Sequence, residues 1–138
     1  MAVSGPFSDR AHRVLVVDDD DLVREMAVDL CAESGIEALS VASADGALSF
    51  LTDPRSPEVQ LVIMDLIMPG TNPLDAMETI VRLHPGLRVI LMSGDDPTEE
   101  LRKALRVAGV TFLNKANLVE ELLPLCRGES SARDPGSP

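Results

Sequence analysis

Residues of three types, Asp, Ser and Lys, stand where they could do phosphoryl chemistry. Asp18 to Asp21 follow one another in VLVVDDDDLVRE (residues 14–25), Asp65 closes LVIMD, Ser93 follows VILM, and Lys115 follows TFLN. Adjacent carboxylates about 4 Å apart repel by up to ~4 kcal/mol at an effective dielectric near 20, and less where water reaches them. Either the run is simply solvated or a positive partner sits among the charges. Clustered carboxylates with water suit Mg²⁺, which takes one or two carboxylates and keeps much of its hydration. A carboxylate such as Asp65 can act as a nucleophile and carry a phosphoryl group. A serine hydroxyl at position 93 could donate to a phosphoryl oxygen, and the ammonium of Lys115 could neutralise part of its charge. Alone, each of these residues reads as ordinary loop; only their joint placement is specific.

That placement depends on the elements that carry them. Short apolar runs predict strands at Arg13–Val17, Glu37–Val41, Gln60–Met64, Leu87–Met92 and Val110–Asn114. Several are almost continuously apolar, as in parallel strands buried on both faces. Helical spacing predicts helices over Asp21–Ser34, Ala44–Leu51, Leu74–Leu83, Pro97–Ala108 and Leu118–Cys126. In the first, Leu22, Val23, Met26, Ala27 and Leu30 fall on one side. Asp96, Pro97 and Glu99 read as an acidic cap, first-turn proline and reciprocal glutamate for the fourth helix; Asn117 and Glu120 repeat the cap pattern for the fifth. Gly35 and Gly109 stand where C-terminal caps belong.

Strand–helix alternation of this kind predicts an α/β three-layer sandwich with a doubly wound, five-stranded parallel sheet. The order 2-1-3-4-5, a flavodoxin-like arrangement, sets the ends of strands 1 and 3 side by side at the topological switch point, where ligands bind. Asp18, Asp19, Asp65, Ser93 and Lys115 each follow a strand, so all fall on one rim.

Length and composition bound the remaining possibilities. A chain of 138 residues is one domain with tails, long enough for a real core. Three Phe and no Tyr or Trp leave aliphatic and Met side chains to fill it. The same scarcity removes the usual stacking platform for single-stranded nucleic acid. A net charge of −11 opposes direct binding to nucleic acid or an anionic membrane. Cys31 and Cys126 have no metal-ligand spacing, and Cys31 reads as a buried thiol. No signal peptide or 18-residue apolar run is present, so a reduced, cytoplasmic protein is expected. Residues 1–12 read as a flexible N-terminal tail, 13–127 as the folded domain, and 128–138, rich in Gly, Ser and Pro, as a disordered tail or the start of a linker.

The stretches VLVVDDDDLVRE, GIEALSVASADGAL, LVIMDLIMPG, VILMSGDD and AGVTFLNKA together resemble the receiver domain of two-component response regulators, of the chemotaxis-regulator type. The resemblance covers about Arg13 to Arg127. It implies that Asp65 accepts a phosphoryl group from a histidine kinase, a phosphotransfer protein or a small phosphodonor. It implies that Asp18, Asp19, Asp65 and the backbone carbonyl of Ile67 hold Mg²⁺. Ser93 and Phe112 match the switch pair and Lys115 the phosphate-contacting lysine. Phosphorylation would then shift the population toward a conformer with an altered face of helix 4, strand 5 and helix 5, read by a downstream protein not identifiable from sequence.

Four features depart from the family pattern. Lys115 precedes Ala116 where relatives have a cis proline, so either trans geometry or a strained loop is expected. The turn before strand 5 is short, which could displace Phe112. Pro124 inside the last helix should kink or stop it. Ile67 and Asp95 occupy the two variable positions lining the site; an apolar Ile67 cannot orient an attacking water, which predicts slow phosphoryl loss. The competing readings are a receiver fold that binds proteins without phosphorylation, and a Mg²⁺-dependent phosphohydrolase, for which no cap insertion or DxDxT pattern is present.

Overall fold

The structure, a computed structural model, describes residues 11–70 and 72–129. Its elements alternate as β1 (Arg13–Val17), α1 (Asp21–Glu33), β2 (Glu37–Val41), α2 (Ala44–Thr52), β3 (Leu61–Asp65), α3 (Pro73–Leu83), β4 (Arg88–Ser93), α4 (Glu99–Ala108), β5 (Thr111–Asn114) and α5 (Leu118–Cys126). A single 3-10 turn, Lys115–Asn117, joins β5 to α5. The strands form one parallel sheet in the order β2-β1-β3-β4-β5, as the alternation predicts.

The central strands are buried on both faces because their side chains alternate between two apolar layers. Leu15, Val17, Val62, Met64, Val89, Leu91 and Phe112 face the side covered by α2, α3 and α4, where Ala47, Met77, Ile80 and Leu105 meet them. Val14, Val16, Leu61, Ile63, Ile90, Met92 and Leu113 face α1 and α5, through Ala27, Cys31, Leu118, Leu122 and Cys126. Burying a side chain of this size contributes roughly 1.5–3 kcal/mol, and a one-residue slip in a strand would exchange its two faces between the layers. Met64, Met68, Met77 and Met92 all belong to the core. Both cysteines are buried free thiols.

Three helix details differ from the sequence reading. The packed stripe of α1 is Val23, Ala27, Leu30 and Cys31, at i, i+4, i+7 and i+8. Leu22 and Met26 lie off that stripe and are 74% and 37% exposed. Helix α4 begins at Glu99, two residues past Pro97: the ring of Pro97 is buried while the chain is still extended, and Thr98 caps the helix by accepting from the Leu101 N–H at 3.1 Å. Asn117 makes no side-chain cap bond at the start of α5. Pro124 stands inside α5, which ends at Cys126. Gly109 does cap α4, with φ of 71°, a conformation open to glycine at little cost.

Of the expected tails, residues 1–10 and 130–138 lie outside the described residues. Ala11, read as tail, is buried and donates its N–H to the Cys126 carbonyl at 2.7 Å. His12 and Arg13 N–H groups both donate to Gln60 Oε1, at 2.9 and 2.8 Å. The chain is thus tied to the sheet before β1 begins.

Candidate functional site

Strand register brings the chemistry together. Val17 of β1 pairs with Met64 of β3, so the next residues, Asp18 and Asp65, emerge side by side at the carboxyl end of the sheet. Asp65 pairs with Met92 of β4, which sets Ser93 just beyond it; Ser93 in turn pairs with Asn114 of β5, immediately before Lys115. The Asp18 N–H donates to Val41 O at 3.2 Å and the Leu66 N–H to Met92 O at 2.7 Å, continuing the ladder into the site.

Three carboxylates converge there. Ligand oxygens of Asp18, Asp19 and Asp65 all lie within 4.8 Å of one another. Asp18 and Asp65 are buried and Asp19 is exposed. Two unit charges at that separation repel by ~3.5 kcal/mol at an effective dielectric of about 20. The ammonium of Lys115 partly offsets this, lying 2.9 Å from Asp18 Oδ2 and 3.0 Å from Asp65 Oδ2. The bond to Asp65 is well directed. Asp18 Oδ2, though close to the ammonium, is a buried oxygen that receives no well-directed hydrogen bond. One ammonium among three carboxylates leaves a net charge of −2, which a divalent cation cancels. The donor set is therefore the kind that holds Mg²⁺: hard oxygens, one of them exposed to water.

The same contacts set the ionisation of the site. Burial pushes the Asp65 carboxyl above its usual range, and the neighbouring charge of Asp18 adds to this. The Lys115 bond and the Ile67 N–H, which donates to Asp65 Oδ1 at 3.1 Å, act against the shift. For Lys115 burial works to lower the pKa, but the close carboxylates of Asp18 and Asp65 together outweigh it and hold the ammonium above its ordinary value. Each group so stabilises the charged form of the other.

The remaining expected residues fall close by. Ser93 is buried, and its Oγ accepts from the Asp95 N–H at 3.2 Å. Phe112 pairs with Leu91 and is buried in the core beneath α4, in spite of the short preceding turn. The side chain of Ile67 is 67% exposed and has no polar group to offer.

Asn114 is a residue the sequence reading missed. No cis peptide bond occurs among the described residues, so Lys115–Ala116 is trans, one of the two geometries expected. Asn114 organises that trans loop. Its Oδ1 accepts from the Ala116 N–H at 2.9 Å, and its Nδ2 donates to Asp96 Oδ1 at 3.2 Å. This explains why Asp96 does not cap α4. The available signal was an Asx residue directly before the lysine, a type suited to capping the next turn.

A cleft of about 740 Å³ lies at the opposite, amino-terminal ends of β3 and β4, lined in part by Phe50, Gln60, Leu83, Pro85 and Arg88. It is remote from the carboxylates and gives no substrate pocket for the phosphohydrolase reading. No helix of the described residues is long and apolar enough to cross a membrane.

Comparison with known proteins agrees with this geometry. The family described as response regulator receiver domain matches residues 14–127. The response regulator protein TodT of Pseudomonas putida is 32% identical over 121 residues, 88% of this chain and 52% of that protein. A crystal structure of a response regulator receiver protein from Pseudomonas putida superposes with a TM-score of 0.74 at 32% identity, covering 85% of this chain and 96% of that one. The receiver domain of the histidine kinase CKI1 from Arabidopsis thaliana, complexed with Mg²⁺ and BeF₃⁻, superposes with a TM-score of 0.69 at 25% identity, covering 85% and 88%. The chain spans between a quarter and about half the length of the curated relatives it matches.

Proposed function

The chain belongs to the response regulator receiver domain family, and on that premise we propose that it is a phosphoacceptor switch charged on Asp65. The observation that carries this reading is the meeting of the Asp18, Asp19 and Asp65 carboxylates within 4.8 Å, two of them, Asp18 and Asp65, sharing the ammonium of Lys115. Mg²⁺, when held by these carboxylates with the Ile67 carbonyl, supplies Lewis-acid stabilisation to a phosphoryl oxygen.

The chain's own groups orient the nucleophile. The Ile67 N–H on Oδ1 and Lys115 on Oδ2 fix the plane of the Asp65 carboxylate. A carboxylate oxygen attacks phosphorus; the bond from phosphorus to the donor's imidazole nitrogen or carboxyl oxygen breaks, and the leaving group takes the electron pair. Lys115 is placed to exchange part of its contact with Asp65 for a phosphoryl oxygen. Ser93 is free to do the same by giving up the Asp95 N–H, a single weak bond. The donor is a histidine kinase, a phosphotransfer protein or a small acyl phosphate, acting in the cytoplasm. Movement of Ser93 then biases Phe112 and the face of α4, β5 and α5 on which a downstream protein reads the state. The acidic set is complete and paired with its lysine, which favours this reading over a phosphorylation-independent binding module.

Incubation with Mg²⁺ and acetyl phosphate, followed by intact-mass analysis, tests it. The wild type should gain one phosphoryl group and the Asp65→Asn variant none. Failure of the wild type to gain it from acetyl phosphate and from histidine kinases alike would leave the binding-module reading standing.

A further inference from the structure

Four aspartates stand in a row, and the site uses the carboxylates of two. The other two have separate work. The Asp20 N–H donates to Asp18 Oδ1 at 2.9 Å, and Asp20 Oδ1 accepts from the N–H groups of Leu22 and Val23, capping α1. The Asp21 side chain is 82% exposed and pairs with the guanidinium of Arg24.

Arg24 is not an ordinary surface cation. Its side chain is only 19% exposed, and the guanidinium that pairs with Asp21 also donates from Nη1 to the backbone carbonyl of Asp18 at 2.6 Å. It reaches back from the first turns of α1 to the end of β1. The Asp18 N–H is held on its other side by Val41 O. Both peptide groups flanking Asp18 are therefore fixed, one by the sheet and one by Arg24. The direction of the Asp18 side chain, and the start of Asp19, follow from that.

A positive charge so close to a cation site opposes metal binding by Coulomb repulsion. Its position is intelligible if its contribution is geometric. We propose that Arg24 is a positioning residue for the divalent-cation site: by holding the Asp18 carbonyl it sets the orientation in which Asp18 and Asp19 converge on Asp65, and Asp21 holds Arg24 in that posture. The inference rests on the Mg²⁺ reading above and assigns its geometry to residues outside the ligand set. Arginine suits the task because its planar fork serves two acceptors at fixed angles, whereas a lysine offers a single point charge.

The two effects of Arg24 have opposite signs, which makes them separable. If Arg24 acted by charge alone, Arg24→Ala would tighten Mg²⁺ binding. As a positioning residue its loss should weaken binding by about tenfold or more, the scale seen for outer-shell partners of metal ligands. Titration calorimetry with MgCl₂ on wild type, Arg24→Ala, Arg24→Lys and Asp21→Asn, alone and combined with Arg24→Ala, reads this directly, with thermal melts as the folding control. Arg24→Lys should recover only part of the loss, and it carries the test if Arg24→Ala does not fold. Asp21→Asn should weaken binding in the wild type and have little further effect once Arg24 is gone. Equal or tighter binding by Arg24→Ala, or by Arg24→Lys in its place, overturns the inference while leaving the Mg²⁺ reading intact. Absence of Mg²⁺ binding by the wild type overturns both.

Discussion

Asp18 and Asp65 share one counter-ion: Lys115 Nζ sits 2.9 Å from an oxygen of the first and 3.0 Å from an oxygen of the second. The two carboxylates leave adjacent strands and the lysine follows the last strand of the sheet, so the contact exists only in the complete fold. It makes the metal-free site a compromise, with too little positive charge for its acids.

Asp65→Asn should therefore raise the melting temperature of the metal-free protein by a few degrees. Because burial and Asp18 hold the Asp65 carboxyl above its usual range, charging it costs folded-state stability. That cost is absent below the unfolded-state pKa of about 4, where Asp65 is protonated in both states. It grows as pH rises through the folded-state pKa. The advantage of Asn over Asp should thus be small near pH 4 and larger at neutral pH. Mg²⁺ should reverse it by stabilising the wild type and not the variant. Thermal melts across pH, with and without Mg²⁺, check all three statements.

Lys115→Met removes the shared counter-ion and leaves Asp18 and Asp65 facing each other. The metal-free protein should lose about 1–3 kcal/mol, less than a fully buried pair because the lysine is a quarter exposed. Mg²⁺ should recover more of the stability of this variant than of the wild type. Urea unfolding in the two conditions measures both numbers. Phosphoryl uptake from acetyl phosphate should be slower in the variant even at saturating Mg²⁺.

Asn114→Ala deletes the turn cap on Ala116 and the tie to Asp96. A cap of this kind contributes about 1 kcal/mol. Faster hydrogen exchange at the Ala116 amide should report the loosened loop, and phosphoryl uptake should fall without loss of the fold. Unchanged exchange at Ala116 would show that the trans loop has another source of order.

Ile67→Asn places a polar group beside the phosphoryl position, where the exposed isoleucine has none. An amide can orient an attacking water, so the phosphorylated variant should lose its phosphoryl group several times faster than the wild type. Intact-mass time courses after removal of the donor give both lifetimes. Equal lifetimes would show that Ile67 does not govern water access.

The sheet was legible in the sequence because LVV, LVIM and VILM are short runs apolar at every position, as strands covered on both faces require, and alternate with longer helical patterns. The rim was legible because a parallel sheet puts the residue after each strand at the same pole. Features decided by tertiary contact were not. Asp96 and Pro97 satisfy the local rules for starting α4, but burial of the proline ring and the Asn114 bond moved the start to Thr98 and Glu99. Leu22 and Met26 fit an apolar stripe on α1, yet the packed face is centred about one residue farther round, on Val23, Ala27 and Cys31. Arg24 was not legible at all, since nothing local signals that its guanidinium pairs with Asp21 and also reaches the backbone carbonyl of Asp18.

The most direct test of the central claim is to locate the phosphoryl group. The protein is loaded with acetyl phosphate and Mg²⁺, reduced with borohydride, which converts an aspartyl phosphate to homoserine, and mapped by tandem mass spectrometry. The account predicts homoserine at position 65 alone, at an extent that matches phosphoryl uptake. Homoserine at Asp18, Asp19 or elsewhere, with Asp65 unmodified, would contradict it.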